Sequence, residues 1–185
     1  GAGSLNHLKY ENFSKKHIYD VIEPKKFLYE NNKNKFLVNK FYKSLNNTKK
    51  NSYNRIISCA VLEHLEDLPY YLYLSSQKMK KNGYQSHSIP CEGYPIWNIT
   101  WFLISGITFK LRTGKSFNEI QRHEHLNSFD EILKLVKFFY RDVQIKYSYP
   151  FFFSPYVSFY SNLTFKNPIS KNINAYLKII RNNKS

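Results

Sequence analysis

Residues 55–74 read RIISCAVLEHLEDLPYYLYL, and the fold turns on how this stretch is read. It opens with Arg55-Ile56-Ile57-Ser58-Cys59-Ala60-Val61, dominated by β-branched and apolar side chains. Such a run without polar alternation predicts a strand buried on both faces, as in a parallel sheet. Charge then arrives abruptly at Leu62-Glu63-His64-Leu65-Glu66-Asp67. A helical pattern begins near Leu68, with Pro69 in its first turn, where a missing N–H costs nothing. The strand therefore delivers Glu63 and His64 just past its carboxyl end, the edge at which open α/β sheets bind ligands.

Downstream, Leu68, Tyr71, Leu72, Ser75 and Met79 fall at helical spacing. Lys78, Lys80 and Lys81 occupy the last turn and Gly83 follows, so the pattern predicts a helix stop there. Residues 84–89 read as the next strand. It leaves the sheet through His87-Ser88-Ile89-Pro90-Cys91-Glu92-Gly93.

Taken together, IISCAVLEHLEDLP and MKKNGYQSHSIP resemble the second half of a class I S-adenosylmethionine-dependent methyltransferase. In that family a fourth strand ends in a similar "vLEHl" segment. A helix, a glycine turn and a fifth strand ending near "sIP" follow. The resemblance spans roughly residues 1–149. It implies an α/β fold: a Rossmann-like, mostly parallel sheet with helices on both faces, an antiparallel final strand pair, and an aromatic insertion after the fifth strand. It also implies S-adenosyl-L-methionine as cofactor, held by Gly1, Gly3, Asn6, Glu23, Ala60 and Glu63.

Residues alone support part of that set. Gly1-Ala2-Gly3 at a strand-to-helix turn would let backbone approach a ligand closely, since glycine has no Cβ. Glu23 follows about 20 residues later, after the strand-like residues 17–22, a spacing suited to a carboxylate accepting from ribose hydroxyls. The family's first strand would precede Gly1, so the natural chain is expected to continue upstream, because a doubly wound sheet without its central strand exposes two edges. Residues 36–42 are a candidate third strand. The loop 44–52 after it holds no carboxylate where the family often contacts adenine, leaving backbone or Asn46 and Asn47 for that task.

With 185 residues, 42% hydrophobic and 18% aromatic, one globular domain is expected over 1–185. No run is long and apolar enough to span a bilayer. The two cysteines, Cys59 and Cys91, form neither a CxxC pair nor a disulfide framework, which fits a reducing cytoplasm. The 28 Lys and Arg against 13 Asp and Glu give a net charge of +15. Two readings stand: an anionic partner such as nucleic acid, or a compositional bias in which lysines are interleaved with asparagines.

Between Tyr94 and Glu119 the aromatics Tyr94, Trp97, Trp101, Phe102 and Phe109 crowd together. An insertion over about 93–120 would build a substrate cover, a helix packed on the sheet, or a shallow membrane contact through Trp97, Ile99, Trp101, Phe102, Leu103 and Ile104. His123 and His125 flank Glu124, but no Cys, Asp or third His lies nearby to complete a zinc site, and no metal is expected. Ser128 with Glu131 is a capping box, and Phe129, Ile132, Leu133, Val136, Phe139 and Tyr140 form the helical stripe behind it. Residues 142–147 and 157–165 are the expected final antiparallel pair. A basic tail follows over about 166–185, with a short helix at 175–180.

Methyl transfer to a hydroxyl needs alignment and a base, and histidine suits the second task. His64 and His125 are the catalytic candidates. His87, Glu92, Trp97 and Asn127 are the candidates for holding the acceptor. The expected acceptor is a small molecule or a sugar or glycoconjugate. Alternatives are an RNA or protein methyltransferase, for which no NPPY-like motif follows the fourth strand, and a non-catalytic binding domain.

Overall fold

The computed structural model describes residues 2–11, 17–114 and 125–182, apart from the side chains of residues 104 and 105. The chain divides into two compact units, Gly1–Lys50 and Asn51–Ser185.

In the first unit two short strands, β1 (Asp20–Ile22) and β2 (Lys40–Tyr42), pair in parallel with Val21 opposite Phe41. Leu5, Leu8 and Val21 are buried together, with Tyr29 stacked on Phe41 at 4.2 Å between ring centroids. The turn after Gly3 is a short 3-10 helix, Asn6–Tyr10. Residues 36–39, expected in the third strand, lie before β2, and a 3-10 turn takes up Lys33–Leu37.

The second unit is built on a four-stranded sheet in the order β3 (Tyr53–Cys59), β4 (Met79–Pro90), β6 (Ser158–Pro168), β5 (Tyr140–Pro150). β3 and β4 are parallel, whereas β6 runs antiparallel to both β4 and β5. The final antiparallel pair thus forms as the sequence predicts. Against expectation β3 is not buried on both faces: Asn54, Arg55 and Cys59 are exposed and the rest only half-buried. It is an edge of this sheet, and its apolar run packs chiefly through the β4 side.

Helix α1 (Leu68–Lys78) is capped by Asp67, whose carboxylate accepts from Tyr70 N, with Pro69 at its start. It ends at Lys78, earlier than the lysine and glycine pattern predicts, and Met79 to Gly83 continue as strand. The reason lies at Gly83. A Cβ there would sit 2.9 Å from Tyr53 O and 3.0 Å from Asn54 O, so this glycine permits β3 and β4 to approach rather than stopping a helix.

Helix α2 (Pro95–Thr100), a π-helical turn (Trp101–Gly106) and α3 (Ile107–Thr113) form the aromatic segment. Helix α4 (Phe129–Phe139) carries the complete Ser128–Glu131 capping box. Helix α5 (Ser170–Asn182) contains the short helix expected at 175–180 and is longer than it: Ile173 is buried, and Tyr176 packs edge-on to Phe139 at 5.5 Å. The core joins Leu62, Leu68, Leu72, Ile89, Phe129, Ile132, Val136, Phe139, Leu163 and Phe165.

Candidate active site

In the first unit the strand β1 ends at Ile22 and hands the chain to Glu23, which is buried. Its two carboxylate oxygens are fixed by backbone donors, Gly3 N at 2.7 Å and Lys25 N at 3.0 Å. Each oxygen keeps a lone pair, so the held carboxylate can accept further hydroxyls. Gly3 has φ +52°, a left-handed conformation that favours glycine, and open space where a Cβ would stand. Asn6 is exposed at the start of the turn that follows. Gly1 lies outside the described residues. These features fit a nucleoside-binding turn.

In the second unit β3 ends and the chain bends sharply. Ala60 donates its N–H to Ser88 O at 2.9 Å and adopts φ +51°, a left-handed conformation unusual for a side chain with a Cβ. A 3-10 turn, Leu62–His64, follows. Glu63 is buried, its Oε1 3.9 Å from His64 Nε2, while its Oε2 has no hydrogen-bond partner among the described residues. Burial raises the Glu63 carboxyl above the ordinary carboxylate range, against the pull of its own backbone and of His64 and His125.

The loop before α4 is stapled to this turn. Leu126 N and Asn127 N both donate to Glu63 O, at 2.8 and 3.0 Å. The Asn127 amide donates to Leu62 O at 3.1 Å and to Leu65 O at 2.7 Å. Asn127 is therefore a brace for the site loop, with both its amide hydrogens spent on carbonyls.

The brace brings His125 to the end of β4. His125 Nδ1 is bonded to the Glu92 carboxylate, with both side chains only partly exposed. The His64 ring meets the His125 ring edge-on at 4.7 Å. Trp101 lies 6.1 Å from the His125 ring and stacks on Trp97 at 5.5 Å, and Trp97 meets Tyr160 edge-on at 5.6 Å. Four of the expected residues, Glu63, His64, Glu92 and His125, thus converge with Trp97 bordering them. The sequence leaves Glu92 open as a partner of one of the edge histidines or as an acceptor contact, and the structure pairs it with His125. The capping box was the one signal for that pairing, because it fixes where α4 starts and hence that His125 lies three residues before the cap. His123 and Glu124 lie outside the described residues.

His87 is a correction. It is fully buried, its Nδ1 2.7 Å from Ser58 Oγ and its Nε2 3.2 Å from Gln85 Oε1. Phe165 stacks on its ring at 5.2 Å. Burial pushes its pKa down to about 3, so it is a neutral interior hydrogen-bonding group and holds no acceptor.

No family model and no curated protein sequence matches the chain. Solved structures do. An S-adenosylmethionine-dependent methyltransferase from Archaeoglobus fulgidus superposes with a TM-score of 0.60 at 14% identity, over 90% of this chain and 83% of that one. One from Thermotoga maritima gives 0.59 at 14% identity, over 90% and 78%. One from Mesorhizobium loti gives 0.59 at 12% identity, over 89% and 87%. The chain has the Rossmann-like fold of class I methyltransferases.

Proposed function

We propose that the protein transfers a methyl group from S-adenosylmethionine to a hydroxyl of a small-molecule or sugar-type acceptor. The observation that carries this reading is the His125–Glu92 pair at the carboxyl edge of the sheet, beside the buried carboxylate of Glu63. The cofactor supplies an electrophilic methyl on a sulfonium. In the first unit Gly3 and Glu23 would hold its amino-acid and ribose parts.

The chain's own task is the proton. Glu92 as a carboxylate only accepts, so His125 Nδ1 carries the hydrogen between them. That fixes the tautomer and leaves Nε2 with a lone pair to take the acceptor's hydroxyl proton. Glu92 then faces the imidazolium that results. His64, edge-on to the base, sets its ring orientation. Trp97 and Trp101 shield one side of the pair from water and give an acceptor an apolar wall.

Calorimetric titration with S-adenosylhomocysteine tests the cofactor half: binding that Glu23→Ala abolishes supports it. Tritium transfer from labelled S-adenosylmethionine into a panel of sugars and hydroxylic small molecules tests the rest. Glu92→Gln and His125→Ala are expected to lower transfer about a hundredfold with cofactor affinity unchanged. Full transfer by His125→Ala would remove the proposed base.

A further inference from the structure

The β5–β6 connection presents three consecutive phenylalanines to solvent: Phe151, Phe152 and Phe153 are 51%, 72% and 75% exposed. Tyr149 and Tyr156 flank them and are also exposed. The loop is held in place from within. Ser158 Oγ donates to Phe151 O, and Ser154 Oγ accepts from Tyr156 N at 3.2 Å. Its rings therefore point outward from a fixed backbone.

A second apolar surface adjoins it. Helix α2 packs on the Pro155–Val157 turn that closes the loop, and Tyr94 meets Tyr156 edge-on at 5.0 Å. From this segment Ile99, Phe102, Leu103, Ile107 and Leu111 are exposed, whereas Trp97 is turned inward. Two neighbouring elements thus offer large apolar side chains to solvent, more than scattered surface hydrophobics account for.

The charge around them is one-sided. Residues 93–114 and 143–168 contain no Asp or Glu. Lys110 and Arg112 on α3 and Lys146 on β5 are exposed. Among the described residues, the carboxylates that border these segments are engaged, Glu92 by His125 and Asp142 by the Asn167 amide, and Asp130 is held by the Tyr94 hydroxyl at 2.7 Å.

We infer that the Phe151–Phe153 loop and the exposed side of the α2–α3 segment form a docking surface for an anionic lipid bilayer. Phenylalanines at a loop tip enter the acyl boundary, tyrosines sit at headgroup depth, and cations meet anionic headgroups. A protein partner would be expected to leave some carboxylates on such a face to pair with its own cations. The net charge of +15 acts in the same direction at longer range.

The test is co-sedimentation of the full chain with vesicles. Binding is expected to vesicles of phosphatidylcholine mixed with phosphatidylglycerol, and to weaken sharply with pure phosphatidylcholine or added salt. Phe152→Ser and Phe153→Ser are each expected to cut partition about tenfold, because each removes one inserted ring. Phe102→Ser, on the other element, is expected to do the same. Lys110→Glu combined with Arg112→Glu is expected to remove the preference for the anionic lipid. A wild-type chain that leaves the mixed vesicles unbound, or a Phe152→Ser/Phe153→Ser double variant that binds like wild type, overturns the proposal. A chain that ignores vesicles but dimerises, and becomes monomeric in the double variant, assigns the surface to self-association instead. The readout is partition and not methyl transfer, so its outcome stands apart from that of the enzymatic reading.

Discussion

Ser58 and His87 face each other across the parallel pairing of β3 and β4, with the Ser58 hydroxyl 2.7 Å from His87 Nδ1. Gln85 Oε1 can only accept, so His87 Nε2 carries the ring hydrogen and Nδ1 accepts from Ser58. Protonation would break this arrangement. The folded chain keeps His87 neutral down to about pH 3, while the unfolded chain takes a proton near the ordinary histidine value of about 6.5. Between those values the unfolded state binds more protons, so stability is full above that range and is lost as pH falls through it. The loss approaches roughly 5 kcal/mol at the acid end. Urea midpoints measured from about pH 7 to pH 4 should fall more steeply for wild type than for His87→Gln. Parallel slopes would count against the assignment.

The same network continues to Tyr140. Its hydroxyl donates to Leu72 O at 2.9 Å and accepts from Gln85 Nε2 at 2.6 Å, with Ser75 Oγ 3.3 Å away. Tyr140→Phe leaves a buried amide hydrogen and a buried carbonyl without that partner. The expected destabilisation is about 1–3 kcal/mol. Because Gln85 links Tyr140 to His87, the cost of Tyr140→Phe with His87→Gln should differ from the sum of the singles. Strict additivity in denaturation experiments would show that the two ends do not communicate.

Glu63 stores the opposite kind of strain. Its Oε2 is buried without a partner among the described residues, and burial raises its carboxyl. A group with a raised folded pKa favours the fold at low pH and burdens it as pH rises. Glu63→Gln should therefore stabilise the fold at neutral pH by about 1 kcal/mol, read as a higher melting temperature, with the gain shrinking in acid. The same change should weaken S-adenosylhomocysteine binding if this oxygen waits for a ligand donor. A variant that is no more stable at neutral pH would mean that the carboxylate is satisfied as it stands.

Asn127 and Ser128 separate loop placement from helix stability. Ser128→Ala removes the cap of α4 and should cost about 1 kcal/mol. Asn127→Ala frees the site loop from Leu62 O and Leu65 O and displaces His125 from Glu92. Methyl transfer should fall more in Asn127→Ala than in Ser128→Ala. The reverse order, in assays at matched folded fraction, would deny the brace its part.

Much of the fold was legible because it rests on local pattern. The turn at Glu63-His64 after an apolar strand, the Leu68 and Pro69 start of α1 and the capping box of α4 are all short-range signals. Each appears where the sequence places it. What escaped the sequence depends on partners far along the chain. Met79 sits at helical spacing yet extends, because Gly83 must pass close to β3. His87 sits at a strand end near the ligand edge yet turns inward, because Ser58, Gln85 and Phe165 make a polar and aromatic slot for it. The basic residues 170–182 hide an apolar stripe, Ile173, Tyr176 and Leu177, that only helical geometry gathers on one side. Glu92 and His125 are 33 positions apart, and their pairing follows from the staple at Asn127.

Strand β6 lies between β4 and β5, although it is the last of the three to leave the ribosome. A strand at the middle of this sheet, carrying the buried Leu163 and Phe165, therefore reaches its place only after both flanking strands have been synthesised. Until then β4 and β5 each hold an open edge where β6 belongs, and Leu72 and Ile132 have an incomplete core around them. Synthesis thus leaves this unit waiting, and nascent chains that stall before Ser158 are the ones that chaperones must shield from aggregation.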